Sequence, residues 1–366
     1  MDKVLSKVAV VGAGLIGGSV ALGLRAAGVE VVGYDPDPAA LEEGLRRGAF
    51  TSAESDLTEA VADAPLVVLA APVDRLVATA QVVAASVPAE GVVTDVGSAK
   101  SRVVEGCEAV LGSRFVGGHP MAGSERRGIA AADANLFEEA WWILTPTAGT
   151  ASHAYRTASL LATTLGARPI ALDPDGHDRL LAQVSHLPQI TASALVASAV
   201  ASQERDSHLG LAAAGFRDVT RIAASDPGLW VAILQANREA VLESLRGFQS
   251  GLREVEAALS EERWDELRDF LSGARVARLG LFGKPELHDV AVALSMPVLD
   301  RPGVLAEVTT AAGALGANIE DLRIVHSTEG GRGRLELIVA GEGPAQKLMD
   351  ALVGLGYHVE RSRVDP

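Results

Sequence analysis

Val8-Ala9-Val10-Val11-Gly12-Ala13-Gly14-Leu15-Ile16-Gly17 decides the architecture of the first part of the chain. A short apolar run stops at Gly12, and helix-forming residues continue to Gly28, a natural helix stop. Strand, turn and helix thus surround a G-x-G-x-x-G sequence, the context in which that spacing reads as a dinucleotide site. Gly12 permits the tight turn, Gly14 lets the backbone approach a pyrophosphate, and Gly17 allows close helix packing. The helix start at Leu15 and Ile16 offers unsatisfied N–H groups to the phosphates. A second strand, Glu30 to Tyr34, ends on Asp35. A carboxylate there accepts hydrogen bonds from the ribose hydroxyls and repels a 2′-phosphate, so NAD is expected rather than NADP.

Further apolar runs at Leu66 to Ala70 and Val92 to Asp95 alternate with helical stretches, which specifies a parallel α/β sheet of Rossmann type. Ala71 and Pro72, just past the first of these runs, are expected to line the cofactor site. Strand-like runs at Phe115 to Val116, Trp141 to Leu144 and Arg168 to Leu172 extend this domain over residues 1–172.

From residue 173 to 284 the strand-like runs vanish. Long segments rich in Ala, Leu, Glu and Arg take over, notably Asp226 to Leu259 and Ser260 to Arg278. This region reads as an all-α domain. The stretch LVASAVA is apolar on too many faces for a solvent-exposed helix, so burial within the domain or against a second subunit is expected, and with it a homodimer. Gly280 to Pro285 reads as a linker. Strand candidates at His288 to Leu294, Asn318 to Val325, Arg334 to Val339 and Tyr357 to Val364, with helices at Gly303 to Leu315 and Pro344 to Gly354, then give a βαββαβ module over 285–366.

Composition narrows the function classes. At 366 residues, two or three domains are expected. With 48% hydrophobic and 22% charged residues the chain can build packed cores and is not disordered. A formal net charge of −15 disfavours nucleic acid and anionic membrane surfaces as partners. Cys107 is the single cysteine, so neither an intramolecular disulfide nor a thiolate metal cluster forms, and no metal site is expected. It reads as an inert thiol. The N-terminus lacks the order of a signal peptide and no apolar run is long enough for a bilayer, so a cytoplasmic location is expected.

Asp95-Val96-Gly97-Ser98-Ala99-Lys100 and His119-Pro120-Met121-Ala122-Gly123-Ser124-Glu125 follow in an order and spacing that resembles the prephenate and arogenate dehydrogenases. Ser185-His186-Leu187-Pro188 resembles that family's SHLP segment. Gly215-Phe216-Arg217-Asp218-Val219-Thr220-Arg221, with Ser225-Asp226-Pro227 and Trp230, resembles its GFRDxTR…SDPxxW segment. Residues 288–366, with Asp300-Arg301-Pro302-Gly303-Val304-Leu305, resemble an ACT domain. The resemblance covers nearly the whole chain and implies oxidative decarboxylation of prephenate by NAD+ to 4-hydroxyphenylpyruvate, in tyrosine biosynthesis.

In that reaction hydride leaves ring carbon C4 while CO2 leaves C1, and aromatisation drives the change. The protein must orient substrate, assist departure of the hydroxyl proton and hold two carboxylates. His119 is the natural proton acceptor, because imidazole titrates near working pH. Taken alone, a histidine before proline reads as a structural loop residue; the flanking motif reverses that. The resemblance implies that Ser98 bonds the same hydroxyl or the imidazole. Arg217 and Arg221, four apart on an expected helix, share a face and can clamp a carboxylate. By the family pattern Ser124, Ser185 and Trp230 line the substrate site, while Glu125 and Asp218 form an ion-pair gate with Arg221. Gln189 stands where the family's SHLP segment usually continues with a second histidine. An amide both donates and accepts but cannot become cationic, which leaves prephenate against arogenate, and direct inhibition by tyrosine, open. His177 reads as structural, and His186 equally as structural or functional.

ACT domains bind amino acids between paired modules. The resemblance assigns Asp300 to the ammonium group, Gly303 to a free backbone N–H and Asn318 to the neighbouring module's contribution. Tyrosine is the expected effector, phenylalanine also fits, and a purely architectural module is the alternative. Rival readings are arogenate dehydrogenase, a β-hydroxyacid or imine reductase, and a non-catalytic NAD and amino-acid sensor. The reductase lacks the pairing of the His119 and Arg221 motifs, and a sensor needs neither.

Overall fold

The computed structural model describes residues 5–123, 126–201, 214–282, 291–299, 303–326 and 332–363. The chain divides into two compact units, Met1–Leu252 and Arg253–Pro366.

The first unit opens with β1 (Lys7–Val11), α1 (Leu15–Ala26), β2 (Glu30–Tyr34), α2 (Pro38–Arg46), β3 (Ser52–Ala53), α3 (Leu57–Val61) and β4 (Leu66–Leu69). It continues with α4 (Leu76–Val83), β5 (Val92–Asp95), α5 (Ser101–Leu111), β6 (Phe115–Pro120), β7 (Trp141–Thr145), α6 (Ser152–Thr164) and β8 (Arg168–Ala171). The strands form one sheet in the order β3-β2-β1-β4-β5-β6-β7-β8. Side chains alternate between its faces: Val8, Val10, Leu66 and Val68 enter one core, Ala9, Val11, Val67 and Leu69 the other. Burial on both faces is why these strands read as continuous apolar runs rather than alternating ones. The order reverses between β1 and β4, which opens a crevice at the carboxyl ends of those strands.

A wholly parallel sheet was the expectation, and β6 and β7 correct it: they pair antiparallel, His119 opposite Ile143. Among the described residues of their connection the regular structure is a short 3-10 turn at Ile129–Ala131. Without a crossover helix the chain returns beside β6 in the opposite sense.

The helical part follows as α7 (Pro174–Leu181), α8 (Leu187–Val200), α9 (Ala214–Thr220), α10 (Pro227–Ala236) and α11 (Arg238–Ser260). Asp173 caps α7 through the Gly176 N–H, with proline at the first helical position. A π-helical turn, Ala182–His186, joins α7 to α8. The segment from Asp226 to Leu259 is not one helix, because Asn237 interrupts it with its side chain drawn into the interior. The LVASAVA stretch leaves Leu195 and Val200 exposed on this chain.

The second unit takes in the end of α11, α12 (Trp264–Phe282), β9 (Ala291–Leu299), α13 (Val304–Ala314), β10 (Ile319–His326), β11 (Arg332–Ala340), α14 (Glu342–Gly354) and β12 (Glu360–Arg363). The expected linker from Gly280 is helical as far as Phe282. The four strands form an antiparallel sheet in the order β10-β11-β9-β12, and one face carries the core: Leu294 and Met296 of β9, Leu335 and Leu337 of β11, Val308 of α13 and Leu348 of α14. Among the described residues no helix is long and apolar enough to cross a membrane.

Candidate active site

The crevice is shaped by what its glycines omit. Gly12 has φ +113°, and a Cβ there would lie 2.4 Å from the Ala70 carbonyl oxygen, so β1 and β4 meet at this turn only without a side chain. Nothing lies within 4 Å of a Cβ built on Gly14, which leaves its backbone open to a phosphate. Gly14 is also the N-cap of α1 and supplies no side-chain acceptor, so the first-turn N–H groups around Leu15 and Ile16 remain available. Gly17 packs against the Gly12 carbonyl, leaving no room for a Cβ. Asp35 is pinned: one oxygen accepts from the Ala13 N–H at 2.7 Å, the other from the Asp37 N–H at 2.9 Å. Each oxygen keeps a lone pair for a ribose hydroxyl. Ala71 and Pro72 follow Ala70, whose carbonyl packs against Gly12. An open phosphate cradle, a free helix terminus and a fixed carboxylate fit NAD.

His119 sits near the end of β6. Gly118 before it lies against β5, where a Cβ would come within 2.6 Å of the Asp95 carbonyl oxygen. The imidazole is 9% exposed, and its Nδ1 lies 2.9 Å from Nε2 of His177, the rings edge to face. His177 is wholly buried and turns its Nδ1 to Oδ1 of Asp178 at 2.8 Å. The Asp178 carboxylate also accepts the N–H of Lys100 at 2.7 Å and of Ser101 at 2.9 Å, where α5 begins. Beneath lies a buried ion pair, Lys100 with Asp95. Lys100 Nζ donates to the Gly118 carbonyl at 2.8 Å, and Asp95 accepts the N–H groups of Gly118 at 3.1 Å and Gly97 at 2.8 Å. On the far side Asn237 donates to the Asp178 carbonyl at 2.7 Å and lies 3.2 Å from His186 Nδ1. The His186 ring meets Trp230 edge to face at 5.9 Å.

Burial sets the charge states. It lowers His119 well below the ordinary imidazole value, and the nearby His177, Lys100 and His186 add to the effect. Burial also lowers His177, against the pull of Asp178, and takes His186 down to about 4. For Asp178 burial acts upward, but hydrogen bonds from His177, Ser101 and Lys100 outweigh it and hold the carboxyl below its usual range. At neutral pH the site therefore holds uncharged imidazoles beside an ionised carboxylate.

Comparison with known proteins decides the family. The description "Prephenate dehydrogenase, nucleotide-binding domain" matches residues 20–171, and "Prephenate dehydrogenase, dimerization domain" matches residues 173–273. The prephenate dehydrogenase of Bacillus subtilis is 32% identical over 348 residues, 92% of this chain and 93% of that protein. The chain belongs to the prephenate dehydrogenase family. Among solved structures, prephenate dehydrogenase from Aquifex aeolicus, in complex with hydroxyphenyl propionate and NAD+, superposes with a TM-score of 0.72 at 31% identity, covering 77% of this chain and all of that one. Synechocystis arogenate dehydrogenase has a TM-score of 0.67 at 30% identity, covering 74% and 98%. This prephenate dehydrogenase family member thus carries an NAD-binding domain followed by a helical dimerisation domain.

The other expected site residues divide. Ser98 is half-buried in the β5–α5 loop, and among the described residues no hydrogen bond joins it to His119. Ser185 lies in the π-helical turn, Gln189 is buried in the first turn of α8, and Trp230 stands half-buried on α10. Arg217 and Arg221 do not share a helix: α9 ends at Thr220, and Arg221 opens a 3-10 turn. The Thr220 hydroxyl bonds back to the Phe216 carbonyl at 2.6 Å, and the chain tightens there. Both arginines are exposed, as is Asp218. Ser124 and Glu125 lie outside the described residues, and among those described no ion pair joins Asp218 to Arg221. Arg127 pairs instead with Asp226, the N-cap of α10. In the C-terminal module Asp300 lies outside the described residues, Gly303 has φ +94° at the start of α13, and exposed Asn318 bonds to Glu320. Sequence reasoning missed His177, Asp178, Lys100 and Asn237 as parts of the site. Lys100 lies within the Asp95–Lys100 motif, whereas His177 carries no sequence signal that sets it apart from a structural histidine.

Proposed function

We propose that this chain oxidises prephenate with NAD+ to 4-hydroxyphenylpyruvate, CO2 and NADH. The observation that carries the reading is a buried, uncharged His119 in the strand next to β5 of a dinucleotide fold. When bound, NAD+ supplies the hydride acceptor. His119 takes the C4 hydroxyl proton as hydride leaves that carbon. The electron pair released with CO2 from C1 then aromatises the ring to a phenolate, to which the proton returns. Ser98 orients the hydroxyl, and Arg221 with Arg217 and Ser124 holds the carboxylates. Asp35 favours NAD+ over its 2′-phosphorylated form.

A second reading, arogenate, is favoured by Gln189. Its buried amide oxygen has no hydrogen-bond partner among the described residues, and an ammonium group would supply the donor. The exposed apolar side chains Val184, Leu195, Val219, Leu229 and Val231 support a homodimer through the helical domain. The βαββαβ order over 291–363 supports an ACT module, with Gly303 and Asn318 at its effector site and tyrosine or phenylalanine as ligand. The single cysteine, Cys107, is a free thiol, which is in keeping with the cytoplasm as the site of action.

The deciding assay follows NADH formation with prephenate, arogenate and a 3-hydroxyacid offered separately, each with NAD+ and NADP+. Turnover of prephenate with NAD+ and none of the hydroxyacid is expected. Turnover of arogenate alone would assign the second reading, and a preference for NADP+ would remove the role given to Asp35.

A further inference from the structure

We propose that His177 and Asp178 are positioning residues that hold His119 in a single tautomer, with the proton on Nδ1 and Nε2 left bare as the accepting nitrogen. The inference rests on His119 being the proton acceptor, as proposed above, and is argued from the direction of three hydrogen bonds.

Both oxygens of Asp178 already accept backbone N–H groups at the start of α5, an 11-residue helix whose N-terminus favours negative charge. The carboxylate is therefore acceptor only, and the hydrogen in its 2.8 Å contact belongs to Nδ1 of His177. His177 is wholly buried, with the Lys100 ammonium close by, so a second cation is disfavoured and the ring stays neutral. A neutral His177 with hydrogen on Nδ1 has a bare Nε2. The hydrogen in the 2.9 Å contact between the two rings then belongs to Nδ1 of His119. Neutral His119 is left with its lone pair on Nε2. Which ring nitrogen is free is thus fixed by a carboxylate two contacts away.

The same chain answers the charge that forms in the reaction. Lys100 is matched by Asp95, which leaves Asp178 as the anion without a cationic partner in this cluster. When Nε2 of His119 takes the substrate proton, the new imidazolium donates through Nδ1 to His177, and His177 donates to Asp178. Positive charge on His119 is opposed along this line without any proton having to leave Nδ1.

The test replaces His177 in the full-length protein. Gln at this position offers an amide oxygen to the Nδ1–H of His119; Leu offers nothing. His177→Leu is expected to lower kcat by about 10²-fold or more with little change in KM, because correct general-base geometry is worth about 10²–10⁴-fold. His177→Gln should recover most of that loss. Equal losses in the two variants, or a loss confined to thermal stability or KM, would overturn the positioning role. A readout that does not depend on substrate identity is the 15N spectrum of histidine-labelled protein, with His119→Asn assigning the resonances. Wild type should show the Nδ1–H tautomer at His119, and His177→Leu a mixture. An Nε2–H tautomer in the wild type overturns the proposal even if prephenate is turned over. The expected tautomer in a protein that ignores prephenate would remove the functional reading and leave the tautomer lock standing.

Discussion

Lys100 and Asp95 form an ion pair in which both side chains are fully buried, and each also holds the Gly118 backbone, Lys100 through the carbonyl and Asp95 through the N–H. The residue preceding His119 is thereby tied to the end of β5. Removing one member of such a pair strands the other charge in the interior, at a cost of about 3–5 kcal/mol. Lys100→Met should therefore lower unfolding stability by that order in a denaturant titration. Lys100→Met combined with Asp95→Asn should recover part of it. A single variant as stable as wild type would mean that the buried pair contributes nothing to stability.

Acid should weaken the folded state through the histidines. Burial lowers His119, His177 and His186 below the ordinary value of 6.5, His186 to about 4. The unfolded chain binds protons at these side chains near 6.5 while the folded chain resists them, so below that pH the unfolded state carries more protons. Stability is full above 6.5 and is lost as pH falls from there toward about 4. Thermal midpoints measured at about pH 7.5 and about pH 5 should fall by several degrees. Equal midpoints would mean that the cluster is already protonated when folded.

The sequence is most legible where chemistry is local. Gly12, Gly14, Gly17 and Asp35 lie within one strand-turn-helix-strand, and each residue type answers a demand of its own backbone position. The buried histidine cluster is different. His119 and His177 are 58 residues apart and meet only because β6 and α7 converge on the start of α5, which no periodicity encodes. The direction of β7 was equally hidden, since an apolar run reads the same in both senses. The break at Asn237 is not legible in the sequence because apolar residues continue on both sides of it. At the break the buried Asn237 amide donates to the Asp178 carbonyl, a contact between residues 59 apart in sequence.

Replacing the proton acceptor should act on turnover. His119→Asn is expected to lower kcat by about 10²–10⁴-fold, the usual worth of a general base. NAD+ binding, followed by fluorescence titration, should be nearly unchanged, because the cofactor crevice is built from β1, β2 and β4. Near-normal turnover would mean that another group accepts the proton.

Arg221→Ala should act mainly on substrate binding. Arg221 is exposed on a 3-10 turn, so its contact with a carboxylate is worth about 1.5–3 kcal/mol rather than the larger figure for a buried pair. KM for prephenate should rise about tenfold or more with kcat little changed. Because Arg217 is proposed to hold the same substrate carboxylates, the two single alanine variants share a partner, and their effects should depart from simple addition. An unchanged KM in Arg221→Ala would remove the carboxylate contact.

Control by amino acids is where the two ends of the chain make opposed claims. If the C-terminal module senses an effector, tyrosine or phenylalanine must bind more tightly to one of two states of the protein, and substrate must shift the effector's affinity by the same factor. Gln189, neutral where the family usually has histidine, argues that tyrosine inhibition depends less on direct competition in the catalytic pocket. Asn318→Ala replaces none of the residues proposed for catalysis or substrate binding and should weaken the amino-acid response while basal turnover stays near wild type. Gln189→His should add a competitive component against prephenate. Both are read from initial rates with prephenate and tyrosine varied together. If Asn318→Ala leaves inhibition unchanged and purely competitive, tyrosine acts in the catalytic pocket and the module is architectural.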